Sequence, residues 1–565
     1  MKIIEITNNL INIIIQMLWT DKAQKYLKKY WKIKELKDKQ FNVINELLLG
    51  KDVIGLLPTG YGKSLCYLLP PLVTKKVMFI ISPLISLMDD QKEKLVSMGI
   101  SCATLHGNNK NKDQELFNII DGKIKIVYMS PEYLIKGDGL ELAKTLVETN
   151  QLGFLAIDES HCISVWGQDF RPEYTKIKQF REYYPSIPIL AVTATATDTV
   201  CGDISKFLLL SNPVIVRASF DRPNLYLKIC EIPTEQFKEI RPRSIKITNK
   251  QKSKASIVLP HIKTYPNDRI IIYINSRKDC EELAKELNKI NKNCCEAYHA
   301  GLSTGIREKI QSQFSNGDIN IIISTIAFGM GIDLIVRCVI IFGSPSSIEE
   351  YYQQIGRGGR DGLPCETILY FDYANLIIAK HMLKNIRVKF PVLAKAKEDN
   401  LNKVSKLVFT NTCRRRYILD HFNESFSFYT CKNCDNCCEN ELIDMTSKFW
   451  PIIFNKNNTL LDSYAKHDSN TPEKAFNEIK YNYLTHVIYY DKNNKEKQIE
   501  LFLEKDIRQW KTYIFVNKLT ESTLPDNIKF MIPKKFIKKP EKNTASKCDY
   551  INDFDNKIKT YEKLI

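Results

Sequence analysis

The residues best equipped for chemistry are the run Pro58–Ser64, PTGYGKS, and a later run Ile157–Ser160, IDES, which ends an apolar stretch. A glycine-bearing loop between a strand and a helix can fold its N–H groups around phosphate oxygens, and Gly60 and Gly62 permit that close approach. Thr59 lies in the same loop, Lys63 would reach the β- and γ-phosphates, and the Ser64 hydroxyl would hold Mg²⁺. A helix starting there turns its positive end to the anion. Leu57 stands where the generic form of this loop has its first glycine. In IDES, Asp158 can hold Mg²⁺ through water while Glu159 orients or deprotonates the attacking water. A glycine turn or an acidic strand end could each be incidental, but together they predict a machine driven by a nucleoside triphosphate.

A second constellation is Cys413 followed by Cys431, Cys434 and Cys437. The spacing suits a tetrahedral thiolate site, and the C-x₂-C-x₂-C run also suits an iron–sulfur cluster. The adjacent Cys438 leaves the last ligand of the run open. Such a site would staple the segment TCRRRYILDHF to a loop with too little core of its own, so metal binding would supply folding energy. Arg414, Arg415 and Arg416 either touch nucleic acid or face water.

These groups must be positioned by a chain of 565 residues, enough for three or four domains, with 44% hydrophobic residues to fill their cores. A formal charge of +17 points to a polyanionic partner, nucleic acid before an acidic protein surface. Most of the sixteen cysteines stand singly in apolar segments, as reduced thiols do, which suggests an intracellular protein without resolving nucleus from cytoplasm. Residues 3–19 carry Glu5, asparagines and Gln16, so an amphipathic helix is expected there and neither a signal peptide nor a membrane span. From Val53 to about Phe220 apolar strands (VIGLL, VMFIIS, IKIVYMS, GFLAID, ILAVTAT) alternate with helical patterns, the rhythm of a parallel sheet clad by helices. Residues 233–256 read as a basic linker or insertion, after which RIIIYINS, CCEAYHA, INIIIS and VIIFGS restart the rhythm.

Further motifs occur in order: SPLISLMDDQ (Ser82–Gln91), HCISVWGQDFRPEY (His161–Tyr174), AVTATAT (Ala191–Thr197), SFDRPN (Ser219–Asn224), YHAGLS (Tyr298–Ser303), STIAFGMGID (Ser324–Asp333), YYQQIGRGGRDGLP (Tyr351–Pro364) and CKNCDNC (Cys431–Cys437). The ordered set, spanning about residues 25–440, resembles the RecQ family of superfamily 2 DNA helicases. The resemblance implies an α/β fold class with two tandem RecA-like parallel-sheet domains, at 31–220 and 221–380. A helical extension at 1–30, a helical zinc module at 381–440 and a basic region at 441–565, a candidate winged helix, complete the expected order.

The resemblance also assigns roles. The cluster His161, Trp166, Phe170 and Arg171 would grip single-stranded DNA and couple it to ATP hydrolysis, although Trp166 and Phe170 could instead pack in a core. Thr193 and Thr195 would link the nucleotide site to the inter-domain cleft, or cap a helix, or both. From the second domain Gln353 would lie near the attacking water, with Arg360 as arginine finger and Arg357 in support. The family's adenine-recognition segment is only partly retained. Gln40 is present, but Lys37 stands in place of an arginine and Ile33 in place of an aromatic residue, with Trp31 two positions earlier. A lysine lacks the planar fork of an arginine, so ATP preference is implied but relaxed. The segment after Asp333 also lacks the expected Lys-Pro type residues. Zinc is favoured over iron by the resemblance. The implied cofactors are ATP, Mg²⁺ and Zn²⁺; the implied partner is single-stranded or forked DNA, with RNA the nearest alternative, and no membrane is involved. Beyond residue 440 the reading is a helix at 475–490, a later strand YIFVNKL, and a basic run Ile532–Lys542 suited to DNA, to a nuclear address or to solvent.

Overall fold

The computed structural model describes residues 16–444, interrupted most notably at 165–170, 329–333, 372–377 and 426–429, and three later strands at 486–490, 496–499 and 528–533. The chain divides into two compact units, Met1–Val408 with Ile418–Ser425, and Phe409–Tyr417 with Phe426–Ile565.

The first unit holds two parallel sheets. One comprises β1 (Val53–Leu56), β2 (Val77–Ile81), β3 (Cys102–Leu105), β4 (Ile126–Met129), β5 (Leu152–Ile157), β6 (Ile189–Thr193) and β7 (Val214–Arg217), in the spatial order β3-β4-β2-β5-β6-β1-β7. Alternate strand residues such as Met78, Ile80, Ile126 and Tyr128 enter one core cluster, and the intervening Phe79, Ile81, Val127 and Leu155 are equally buried. Burial on both faces explains why these strands read as continuous apolar runs. The sheet is anchored where β1 begins: Asp52 accepts Ile189 N at 2.9 Å and Ser211 N at 2.8 Å and is paired to the Arg181 guanidinium.

The other sheet comprises β8 (Leu225–Glu231), β11 (Ile270–Ile274), β12 (Cys295–Tyr298), β13 (Ile321–Ser324), β14 (Cys338–Phe342) and β15 (Cys365–Phe371), ordered β12-β13-β11-β14-β15-β8. Between β8 and the helix Lys254–Thr264, the stretch read from sequence as a linker or insertion is an antiparallel hairpin. Its strands β9 (Thr234–Arg241) and β10 (Ser244–Gln251) pair along their full length.

In the second unit, β16 (Leu442–Asp444), β17 (His486–Tyr490), β18 (Glu496–Ile499) and β19 (Ile528–Pro533) form an antiparallel sheet ordered β16-β19-β17-β18. This corrects the helix expected across 475–490, because its last five residues, HVIYY, are a strand; β-branched and aromatic side chains favour the pleated backbone. YIFVNKL, the basic run beyond Pro533, and the rest of the candidate winged helix lie outside the described residues, as do residues 1–15. Among the described residues no helix is long and apolar enough to cross a membrane.

Candidate active site and cysteine centre

Parallel strands deliver their following loops to one edge of a sheet, and the strand order here brings the loops after β1, β5 and β6 together. After β1 the chain turns through Gly60 and Gly62, whose φ values of +82° and +93° lie in the left-handed region where a side chain is strained. Gln40, on the helix Asp38–Leu48, braces this turn: its Nε2 donates to the carbonyls of Tyr61 at 3.1 Å and Gly62 at 3.0 Å. A Cβ on Gly62 would fall 2.5 Å from that Nε2, so a side chain there would displace the Gln40 brace as well as strain the backbone. The helix Lys63–Thr74 follows and carries Pro70 and Pro71 inside it.

Lys63 Nζ lies 3.5 Å from Glu159 Oε1. Asp158 accepts the Tyr67 hydroxyl at 3.1 Å on one carboxylate oxygen and Glu159 N at 3.0 Å on the other. Burial, and then the neighbouring Glu159 charge, pushes the Asp158 carboxyl up to about 6. Burial pushes Glu159 upward too, but the charges of Lys63, His161 and Arg357 together hold it below the ordinary glutamate value. Two adjacent carboxyls are thus driven apart in acidity, a pattern typical of sites with divided roles. Glu159 also has a left-handed backbone, φ 48°, at a cost of about 1–3 kcal/mol for a non-glycine residue.

The site extends inward through His161, whose Nδ1 lies 2.8 Å from Thr193 Oγ1 and 3.4 Å from Glu159 Oε2. Thr193 Oγ1 in turn accepts Thr195 N at 3.2 Å, and Leu57 N donates to Thr193 O at 3.0 Å. One contact chain therefore joins the acidic pair, the end of β6 and the strand that enters the phosphate loop. Arg171 donates to Pro83 O at 2.6 Å, which fixes the segment after the acidic pair to the SPLIS turn. Trp166 and Phe170 lie outside the described residues.

The second sheet contributes Gln353, at the end of the helix Ile348–Ile355, with Arg357 and Arg360 in the glycine turn beyond it. All three line the same cleft as Thr59, Gly60, Gly62, Lys63, Ser64, Asp158 and Glu159. A Cβ at Gly60 would sit 3.5 Å from Arg360 Cγ, so the two loops are in close approach. Arg357 is buried, with its charge beside Tyr273.

Cys413, Cys431, Cys434 and Cys437 converge with their sulfur atoms all within 4.8 Å of one another. Cys431 and Cys437 are 4.0 Å apart, close to the roughly 3.8 Å that Zn–S bonds of about 2.3 Å impose in a tetrahedron. The geometry settles the ambiguity in the run, because Cys438 is exposed and its thiol faces Lys432 O at 3.1 Å. Arg414, one of the three arginines beside the first ligand, is buried and paired to Asp435 through two guanidinium nitrogens. Asn436 Nδ2 ties the same loop to Thr410 O at 2.9 Å and Thr412 O at 2.7 Å.

Three family models match the chain: DEAD/DEAH box helicase over residues 37–202, helicase conserved C-terminal domain over 253–362, and RecQ zinc-binding over 376–438. A putative ATP-dependent RNA helicase of Acanthamoeba polyphaga mimivirus is 39% identical over 418 residues, covering 74% of this chain and 72% of that protein. The ATP-dependent DNA helicase RecQ of Pasteurella multocida is 37% identical over 71% of this chain and 60% of its own length. The chain belongs to the RecQ family of superfamily 2 helicases. The ATP-dependent helicase SGS1 of Saccharomyces cerevisiae, a much longer relative, is 36% identical over 74% of this RecQ-family chain and 28% of its own. The crystal structure of the DUF1998 helicase MrfA bound to DNA matches with a TM-score of 0.52 at 20% identity, over 64% of this chain and 52% of that one. That likeness shows the shared fold.

As a RecQ-family helicase the chain is an enzyme with ATP-using motor domains and a zinc-binding module, and the four-thiolate geometry fits zinc. The basic hairpin β9–β10 falls between the two motor-domain matches. Sequence reasoning missed three residues that shape the cleft. Tyr67 gave no signal beyond an apolar helix pattern, whereas Arg222 and Asn224 lie in the quoted SFDRPN motif without a role. Arg222 Nη2 donates to Gly358 O at 2.9 Å and Gly359 O at 2.8 Å, and Nη1 reaches Thr59 O at 3.4 Å. Asn224 Nδ2 donates to Gly359 O at 2.8 Å and Leu363 O at 2.9 Å. Of the altered adenine segment, Trp31 lines the cleft and the Lys37 ammonium sits 4.7 Å from the Tyr61 ring centroid. Burial, with the Arg222 charge in support, pushes the Lys37 ammonium below its ordinary value.

Proposed function

We propose that this protein is an ATP-dependent DNA helicase that translocates 3′ to 5′ on single strands and unwinds duplexes. The observation that carries the reading is the shared cleft: Lys63, Asp158 and Glu159 from one sheet and Gln353, Arg357 and Arg360 from the other line one space. In this reading the phosphate loop holds the ATP phosphates through its backbone N–H groups and Lys63. Ser64 and Asp158 are the residues suited to holding Mg²⁺, which would offset phosphate charge. Glu159 accepts the proton of the attacking water, and its lowered pKa keeps it ionised to do so. Gln353 orients that water, and Arg360, supported by Arg357, stabilises charge on the transferring phosphoryl group. An arginine in this role contributes roughly 10³–10⁵ in turnover.

Closure and opening of the two sheets about ATP would be transmitted through Glu159, His161, Thr193 and Thr195 to the segment 165–170, where Trp166 and Phe170 would stack on bases while Arg171 would help grip the strand. The domain reading accompanies the mechanism: motor domains at 31–220 and 221–380, a zinc module at 381–440, and a C-terminal region that supplies the strand-separating wedge. DNA is favoured over RNA because the matched relatives include proteins named as DNA helicases together with the RecQ zinc module. Strand displacement from 3′-tailed and 5′-tailed substrates, in DNA and in RNA, tests the reading. Unwinding confined to 3′-tailed DNA is expected; preferential displacement of RNA would transfer the assignment to an RNA motor.

A further inference from the structure

A second cluster of metal-ligating side chains lies in the second sheet and shares no residue with the ATP cleft. Cys338 and Glu366 are direct partners in the β14–β15 register, so neighbouring strands carry them side by side. The helix Lys254–Thr264 lies against the same core cluster, which contains Cys338, Ile368 and Tyr370, and it brings in His261. One donor atom from each of His261, Cys338 and Glu366 falls within 4.8 Å of the other two.

The nitrogen and oxygen donors have the spacing that a zinc ion requires. Zn–N and Zn–O bonds of about 2.0–2.2 Å at a tetrahedral angle require N and O to be about 3.4 Å apart. His261 Nδ1 and Glu366 Oε2 are separated by 3.4 Å. The other ring nitrogen, Nε2, lies 2.9 Å from the Tyr370 hydroxyl, so Nδ1 is the nitrogen turned to the ligand position. Such an outer partner is what fixes the tautomer and orientation of metal-binding histidines. Cys338 is fully buried, whereas the His261 and Glu366 side chains retain 17% and 23% exposure, so an ion has a route in from the helix side.

We propose that His261, Cys338 and Glu366 bind a second transition-metal ion, Zn²⁺ by the nitrogen, sulfur and oxygen character of the set, with solvent in the fourth position. The ion fastens the helix that emerges from the basic hairpin to strands β14 and β15. Its binding therefore stabilises the second motor domain and sets the base from which the hairpin projects.

The test uses the full chain, stripped of metal by a chelator under reducing conditions and dialysed into metal-free buffer, then titrated with Co²⁺ in place of zinc. Two equivalents are expected, one with the absorption of a four-thiolate cobalt site and one with a weaker thiolate band. His261→Gln and Glu366→Gln, both partly exposed positions, should each lower affinity for the second equivalent at least 100-fold while the first is retained and the far-UV circular dichroism is unchanged. Tyr370→Phe should weaken it about 10-fold through the lost outer contact. A single equivalent in the wild-type chain overturns the proposal. So does a second equivalent that survives in both His261→Gln and Glu366→Gln, because that ion must sit elsewhere.

Discussion

The Arg222 guanidinium holds the backbone of Gly359, donating from Nη2 to its carbonyl oxygen at 2.8 Å. Gly359 immediately precedes Arg360, and Arg222 also reaches Thr59 O in the phosphate loop, so one side chain spaces the two loops that face each other across the cleft. Arg222→Ala should leave ATP binding nearly intact and lower turnover on the order of 10- to 100-fold, the scale of loss for a misplaced catalytic group. Steady-state ATPase assays would show kcat falling while KM holds. An unchanged kcat would mean that the glycine turn keeps its place without this clamp.

Lys63→Ala and Glu159→Gln should abolish hydrolysis and unwinding but leave single-strand binding largely intact, because both groups face the nucleotide and not the DNA track. Filter binding in parallel with ATPase measurement checks this. Normal turnover in either variant would remove the catalytic assignment.

Gly62→Ala tests the phosphate loop by geometry alone. The new methyl group would enter at 2.5 Å from Gln40 Nε2 on a backbone with φ +93°, so Gln40 must release Tyr61 and Gly62 or the loop must move. Nucleotide affinity, read by fluorescence titration, should drop at least 10-fold. Retention of full affinity would show that the brace is dispensable.

Acid stability should depend on a buried pair in the first compact unit. Glu349 Oε1 lies 2.7 Å from His421 Nε2, and although burial pushes the Glu349 carboxyl upward, the His421 contact holds it below the ordinary value of 4.5. The folded chain thus takes up this proton less readily than the unfolded chain. The stabilisation is complete above about pH 4.5 and is lost as pH falls through the lower folded value. His421→Gln should flatten the acid limb of a denaturation-midpoint profile below that pH, and an identical limb would exclude the pair as its origin.

Loss of the anchor at the start of β1 should be costly everywhere. Asp52→Ala strands the Arg181 charge and the amides of Ile189 and Ser211, for a predicted loss of about 3–5 kcal/mol in a urea melt. A change below about 1 kcal/mol would place Arg181 in contact with water once its partner is gone.

The sequence alone determined the chemistry-bearing motifs and the type of fold, because both rest on local rules. Phosphate loops need glycine at set spacing, zinc sites need cysteine at set spacing, and strands buried on both faces show as runs such as VMFII and IIIYI. Edge and partly exposed strands escaped the same reading. β7 and β8 mix buried with accessible residues, so they lack the apolar run that announces a central strand. The hairpin at 234–251 escaped for a related reason, since paired backbones need no apolar periodicity. Tertiary structure decided everything that depends on distant residues meeting. Only the strand order puts Thr193 between the acidic pair and the phosphate loop, and only folding of the second sheet brings Arg360 to Gly60. The same holds for Arg222, whose partners are 136 and 163 positions away in the chain: hydrogen-bond geometry over such separations is set by packing and leaves no mark on spacing.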